Sequence, residues 1–325
     1  MGADKIRGIW SALFVTISSF ALAITSAGLA QEPTAAQRKL AATDEKTADA
    51  DYALQGEYVG WLLTGANEFQ PIGLQVVALG NGRFQAVEYE GGLPGAGAIG
   101  KARMEITGQR EQGILKFEKD HLRIAVANDR AVFFLESYDG VIAQLQKVTR
   151  VSRTLGAKPP KRAIVIFDGS TTEHFEKGTM TTDKLLAEGA ELKRSYSSYL
   201  LHLEFRLPYM PYARGQGRAN SGVYLQSRYE VQILDSFGLK GKNNECGGLY
   251  KYREPAVNLC LPPLAWQTYD IDFTAAVYDD DGKKTRPARL TVKHNGVLIH
   301  DDINVERKTG SGKAESPVTF PIKLQ

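Results

Sequence analysis

Three extended segments in the middle of the chain carry side chains able to do chemistry. Tyr199 to Leu207 alternates, with Leu201, Leu203, Phe205 and Leu207 on one face and Leu200, His202, Glu204 and Arg206 on the other. In Asn220-Ser221-Gly222-Val223-Tyr224-Leu225, Asn220 and Tyr224 share a face around a glycine that lets another group approach closely. In Glu230-Val231-Gln232-Ile233-Leu234-Asp235, Glu230 and Gln232 stand opposite Val231 and Ile233. Carboxylates, a guanidinium, amides and a phenol on adjacent strands form a surface that hydrogen-bonds hydroxyl-rich molecules and can move protons. Glu204 with Arg206 reads equally well as a solvated ion pair on a strand face. Glu230 and Asp235 face opposite ways on a regular strand, so they form a two-carboxylate site only if a bulge intervenes.

The elements that position these residues are strands. After residue 160 no stretch sustains a helical apolar period, and short alternating runs separated by polar turns predict an all-β sandwich or jelly roll over 163–325. His294-Asn295-Gly296 marks a tight hairpin within it. Residues 52–151 read as a separate small antiparallel β domain, with Asn81-Gly82 between two alternating runs as its clearest hairpin. The segment 152–162, with Gly156, Pro159, Pro160 and several basic residues, reads as a linker. Residues 31–51 are a polar spacer. Lys5 and Arg7 precede an uncharged run from Gly8 to Ala30 that ends in small residues, the layout of a cleaved secretory signal over 1–30. Export to the periplasm or exterior follows, with no stable membrane span after cleavage.

Six motifs recur in order: Phe167-Asp168-Gly169-Ser170, Leu203-Glu204-Phe205-Arg206-Leu207-Pro208, Asn220 to Leu225, Tyr229 to Asp235, Gly247-Gly248-Leu249-Tyr250 and Trp266-Gln267-Thr268-Tyr269-Asp270. As a linked set over roughly 163–325 they resemble the 3-keto-disaccharide hydrolase family, whose fold is similar to concanavalin A-like lectins and glucanases. The resemblance implies an enzyme acting on 3-keto-glycosides: the C3 ketone acidifies the C2 proton, the C1 group is eliminated, and water adds. Such a route needs a base, an acid and donors to an enolate oxygen. Glu230 is assigned as base or acid with Glu204 as its counterpart. Arg206, Asn220, Gln232 and Tyr250 become donors, Tyr224 joins them at the substrate, and Asp235 is a supporting or metal-binding carboxylate. Trp266 is a candidate stacking platform, although aromatics in strands commonly serve the core. The family pattern runs on past a Leu-Gln pair into Asp-His-Gly and one more strand, whereas this sequence stops at Leu324-Gln325; the expectation is a truncated chain or a site without that histidine.

Composition narrows the alternatives. A formal net charge of +3 without basic clusters interleaved with aromatics argues against nucleic acid. The partner expected is carbohydrate, and oligomeric state is left open. Cys246 and Cys260 are the two cysteines; after export they are expected to close a loop of about 15 residues as a disulfide worth roughly 3 kcal/mol, a pair of buried thiols being the other reading. No cofactor is specified by a motif, and a calcium or zinc ion stays open. Asp279-Asp280-Asp281-Gly282 lacks calcium-loop spacing. Two further readings compete with the 3-keto-glycoside hydrolase: a non-catalytic, lectin-like carbohydrate-binding module and a conventional glycosidase with carboxylates about 5–10 Å apart.

Overall fold

Period-two alternation becomes strand throughout the chain, because it gives each strand one face to bury. The computed structural model describes residues 32–325; the signal-peptide reading of 1–30 lies outside the described residues. Eight strands come first: β1 (Gly56–Leu63), β2 (Phe69–Gly80), β3 (Arg83–Glu90), β4 (Met104–Glu111), β5 (Ile114–Lys119), β6 (Leu122–Ala127), β7 (Arg130–Leu135) and β8 (Val141–Val148). Each pairs antiparallel with the next, and β1 pairs with β8, so the small β domain is a closed barrel without free edges. Tyr58, Leu74, Phe84, Phe117, Ile124 and Phe133 fill its interior. Asn81 and Gly82 both take positive φ at the β2–β3 hairpin, as the sequence requires.

Ten further strands follow: β9 (Glu191–Ser195), β10 (Tyr199–Arg206), β11 (Ser221–Leu225), β12 (Tyr229–Ile233), β13 (Trp266–Thr274), β14 (Val277–Tyr278), β15 (Lys284–Arg286), β16 (Ala288–His294), β17 (Val297–Val305) and β18 (Pro321–Leu324). They form two four-stranded sheets, ordered β10-β13-β16-β17 and β12-β11-β18-β9, with β14 and β15 as a separate ribbon. Val223, Tyr229, Val231 and Ile322 from one sheet meet Tyr269, Ile271, Phe273, Leu290 and Val292 from the other, which makes the expected sandwich. Ala163 to Phe167, which reads as a strand in the sequence, forms none, and β9 and β18 carry too few alternating positions to stand out.

A charged group fixes the chain where it leaves the barrel. Arg150 grips Glu57 through Nε and Nη2, both at 2.6 Å, and donates from Nη1 to the Pro94 carbonyl at 2.7 Å. Gln75 donates to the same carboxylate at 3.0 Å. Val77 of the barrel packs in the sandwich core, and Tyr209 of the sandwich packs in the barrel core. The segment after residue 150 is tied down at its start: the Ser152 and Thr154 hydroxyls meet Thr268 Oγ1 at 2.6 and 2.7 Å.

The expected disulfide is corrected here. Cys246 and Cys260 are free, buried thiols. Cys246 Sγ lies 3.2 Å from the Tyr269 hydroxyl, and Cys260 Sγ lies 3.5 Å from the Leu234 and Leu261 carbonyls. In the packed space between the sheets they act as small apolar residues with weak polar contacts.

His294 is fully buried on β16, with Nε2 3.0 Å from Gln267 Oε1. Burial, aided by the positive charge of Arg150, pushes it down to about 3 from its ordinary 6.5. His300, also buried, moves the same way. Between those limits the unfolded chain binds a proton at His294 that the folded chain refuses, so stability falls as pH drops through 6.5 and is regained as pH rises. Urea unfolding between pH 6.5 and 5.5 is expected to lose up to about 1.4 kcal/mol per pH unit per histidine, and His294→Gln to flatten that slope.

Candidate active site

The register of β11 on β12 sets Tyr224 opposite Glu230 and Gly222 opposite Gln232. Tyr229, Val231 and Ile233 enter the core, so Glu230 and Gln232 project from the other face of the sheet. On one side β18 places Lys323 opposite Tyr224. On the other, the segment 247–250 runs along β12: Gly247 N–H donates to the Gln232 carbonyl at 2.9 Å and Tyr250 N–H to the Glu230 carbonyl at 3.0 Å. The result is a row across the sheet, Lys323, Tyr224, Glu230 and Tyr250, with Gln232 and Asn220 beside it.

The carboxyl at the centre is almost dry. Glu230 is 2% exposed, and its Oε2 is buried without a hydrogen-bond partner. Its Oε1 lies 3.0 Å from the Gln232 amide. With the amide nitrogen turned to that side, Gln232 donates to Glu230 Oε1 and to the Ser221 carbonyl, both at 3.0 Å, and its oxygen faces the Asn220 and Gln216 amides at 3.0 and 3.1 Å. Gly222 is needed opposite this pair, because a Cβ there would stand 2.6 Å from Glu230 Oε1. Burial pushes the Glu230 carboxyl above the ordinary carboxylate range, against the pull of the Tyr224 hydroxyl and the Lys323 ammonium. Burial, then hydrogen bonding to Glu230, raises Tyr224 in turn, so its phenol stays a donor at neutral pH. Lys323 Nζ sits 5.3 Å from the Tyr224 ring centre.

The structure unites five of the sequence candidates, Glu230, Gln232, Asn220, Tyr224 and Tyr250, and separates the rest. Glu204 is corrected as the counterpart of Glu230: it pairs with Thr268 in the other sheet and points away from the core. There its Oε1 accepts from Gly156 N–H at 2.6 Å and lies 3.5 Å from His202 Nε2. His202 Nδ1 is 2.7 Å from Asp270, completing a group that fastens the segment after Ser152. Arg206 and Trp266 share that outer face, the guanidinium 5.5 Å from the indole. Asp235 is also corrected: it is 1% exposed, accepts from Arg218 Nε at 2.6 Å and from Phe237 N–H at 3.2 Å, and braces the loop after β12. Alternation within one strand cannot say which of two sheets the strand joins, and that choice parted Glu204 from Glu230.

Sequence reasoning missed Gln216, Lys323, Thr309 and Gly310. Lys323 alone left a trace, as a cation alternating with Ile322 and Leu324 in an otherwise apolar run. Among the described residues no group of three or more His, Cys, Asp or Glu side chains is placed to hold a metal ion.

A family model described as the 3-keto-alpha-glucoside-1,2-lyase-like domain matches residues 162–325. The chain belongs to this family. All five residues gathered around Glu230 fall inside the matched region, and the barrel lies outside it. The chain is also similar to the crystal structure of a candidate glycosyl hydrolase from Parabacteroides distasonis, at 28% identity over 50% of this chain and 75% of that one, with a TM-score of 0.45. No curated protein matches the chain.

The two carboxylates first linked by sequence should respond oppositely to neutralisation. Asp235→Asn strips the buried Arg218 of its counter-charge and is expected to cost about 3 kcal/mol. Glu230→Gln removes a desolvated acid while keeping its shape, and stability is expected to hold or rise. Urea midpoints at pH 7 decide this, and a Glu230→Gln loss as large as that of Asp235→Asn would make Glu230 a structural residue.

Proposed function

We infer that this protein hydrolyses 3-keto-glycosides, with Glu230 as the proton-transferring residue. The observation that carries the reading is the buried carboxyl of Glu230 at the centre of a row of phenols and amides. A carboxyl with raised proton affinity is a better base for a weakly acidic carbon than an ordinary surface carboxylate. The family description supports a reaction of this type, elimination across C1 and C2 of a 3-keto-glucoside.

In this scheme Glu230 takes the C2 proton as the C2–H electrons pass toward the C3 oxygen. Tyr224 and Tyr250 donate to the oxygens that gain charge, with the Lys323 ammonium nearby. When the ketone re-forms, the C1–O bond breaks, the leaving oxygen takes the proton that Glu230 removed from C2, and C1=C2 remains. Water adding across that bond, hydroxyl to C1 and proton to C2, yields the free 3-keto sugar. Asn220 holds a hydroxyl group beside the reacting carbons, and Gln232, whose amide is taken up by Glu230, Ser221, Asn220 and Gln216, orients the acid.

A conventional two-carboxylate mechanism finds less support. Glu204 is on the other sheet and Asp235 is paired with Arg218. Along the row of strands, Glu191 pairs with Lys323 on β9, three strands from Glu230. At about 4.8 Å per strand that is roughly 14 Å, beyond the separation such enzymes use. The working location we assign is outside the cytoplasm, on the strength of the amino-terminal sequence.

The test is incubation of the protein with a 3-keto-glucoside and, separately, with its unoxidised parent. Release of the aglycone from the keto compound alone is the expected result. Glu230→Gln is expected to lower turnover by roughly 10²–10⁴-fold while binding survives, and Glu204→Gln to stay close to the parent enzyme. Binding of the unoxidised sugar without release from either compound would instead mark a lectin-like module.

A further inference from the structure

Glu230 is dry because a strap of chain lies over it. Residues 306–320 connect β17 to β18 without regular structure and wrap the end of the β11–β12 hairpin. Thr309 N–H donates to the Arg228 carbonyl at 3.0 Å, and Lys313 N–H to the Ser227 carbonyl at 2.8 Å. Thr309 Oγ1 accepts the backbone N–H of Glu230 itself at 2.7 Å. At Gly310, with φ of +48°, a Cβ would lie 2.7 Å from Tyr250 Cδ1 and 3.0 Å from Glu230 Oε2, so this backbone forms the roof of the carboxyl. At Gly312 a Cβ would lie 2.1 Å from the Arg228 carbonyl oxygen.

The strap is anchored on the opposite side of the hairpin. Glu315 Oε2 accepts from the hydroxyls of Tyr229 and Tyr278 at 3.0 and 2.8 Å and lies 3.4 Å from Lys284 Nζ. Arg228 holds the chain on either side of it, donating to the carbonyls of Ala314, Ser316 and Val318 at 3.0, 3.0 and 2.8 Å. Tyr229 and Glu230 are consecutive on β12, one reaching through the core to the anchor and the other projecting from the opposite face of the sheet.

We propose that Glu315 is a positioning residue for Glu230: its carboxylate, gripped by Tyr229, Tyr278 and Lys284, fixes the strap so that Gly310 closes water off from the Glu230 carboxyl. This deepens the reading of Glu230 as the proton-transferring group and rests on it. The groups that face Glu230 are Tyr224 on β11, Gln232 on β12, Tyr250 beside β12 and Lys323 on β18, with Lys308 on the strap, its Nζ 3.5 Å from the Gly310 carbonyl. None is removed by changing Glu315, so a change in proton affinity at Glu230 would report the roof.

The measurement is a carboxyl ¹³C NMR titration of glutamate-labelled protein without substrate, with the Glu230 resonance assigned by its loss in Glu230→Gln. In the parent, Glu230 is expected to titrate above the ordinary carboxylate range. In Glu315→Ala its midpoint is expected to fall by about one pH unit as water reaches it, and in Glu315→Gln, which keeps an acceptor for the tyrosines, by less. Gly312→Ala, which pushes the strap off Arg228 and leaves the anchor chemically intact, is the second route to the same fall. A midpoint unchanged in both Glu315→Ala and Gly312→Ala overturns the proposal. So does a shift of equal size at the remote barrel residue Glu136, which would mean general unfolding. Because no substrate is present, this result stands apart from the 3-keto-glycoside assay: coupling without activity fails the functional reading alone, and activity without coupling fails the strap alone.

Discussion

One carboxyl kept away from water organises much of the sandwich around it. Glu230 projects from the face of its sheet opposite the core, a position that in an uncovered sheet would be wet. Its dryness therefore has to be built, and the features needed are absences of side chain as much as contacts. Gly222 across the strand and Gly310 overhead leave room for the carboxyl, and Gly312 lets the strap lie against Arg228. Desolvation of an acid costs free energy, which surrounding packing must offset. Such an expenditure is common where a group must hold or release a proton on demand.

The packing that offsets it reaches from one side of the sheet to the other. β12 alternates between duties: Tyr229, Val231 and Ile233 bind the two sheets together, while Glu230 and Gln232 project from the opposite face. Arg228, immediately before the same strand, is almost fully buried and directs its guanidinium to the carbonyls of the strap. Core, strap and site thus share one short run of residues, and a shift of that strand would move all three.

The two polar faces of the sandwich do different work. The face with Glu230 gathers amides and phenols around a single acid. The outer face of the other sheet gathers His202, Glu204, Asp270 and Thr268, which hold the chain arriving from the barrel. The barrel itself is filled by side chains and is bound to the sandwich through shared apolar packing of Val77 and Tyr209.

The sequence by itself determined most of the strands, the sandwich, the hairpins at Asn81-Gly82 and Asn295-Gly296, and the grouping of Glu230, Gln232, Asn220 and Tyr224. Those features depend on alternation and turn chemistry, which are local, and the linked motifs carried the family with them. Closure of the barrel was not legible, because the pairing of β1 with β8 joins residues about ninety positions apart. Nor was the separation of Glu204 from Glu230, since a strand with one apolar face packs equally well in either sheet of a sandwich. Asp235 and the two cysteines looked functional or cross-linked by type and spacing, and burial beside Arg218 and Tyr269 gave them structural places instead. Lys323 and the strap over Glu230 enter the site from the last twenty residues of the chain, and only the folding of β18 beside β11 brings them there. Local patterns decide which face of a strand is polar; which polar faces meet is decided by long-range pairing, and the chemistry of this site depends on that meeting.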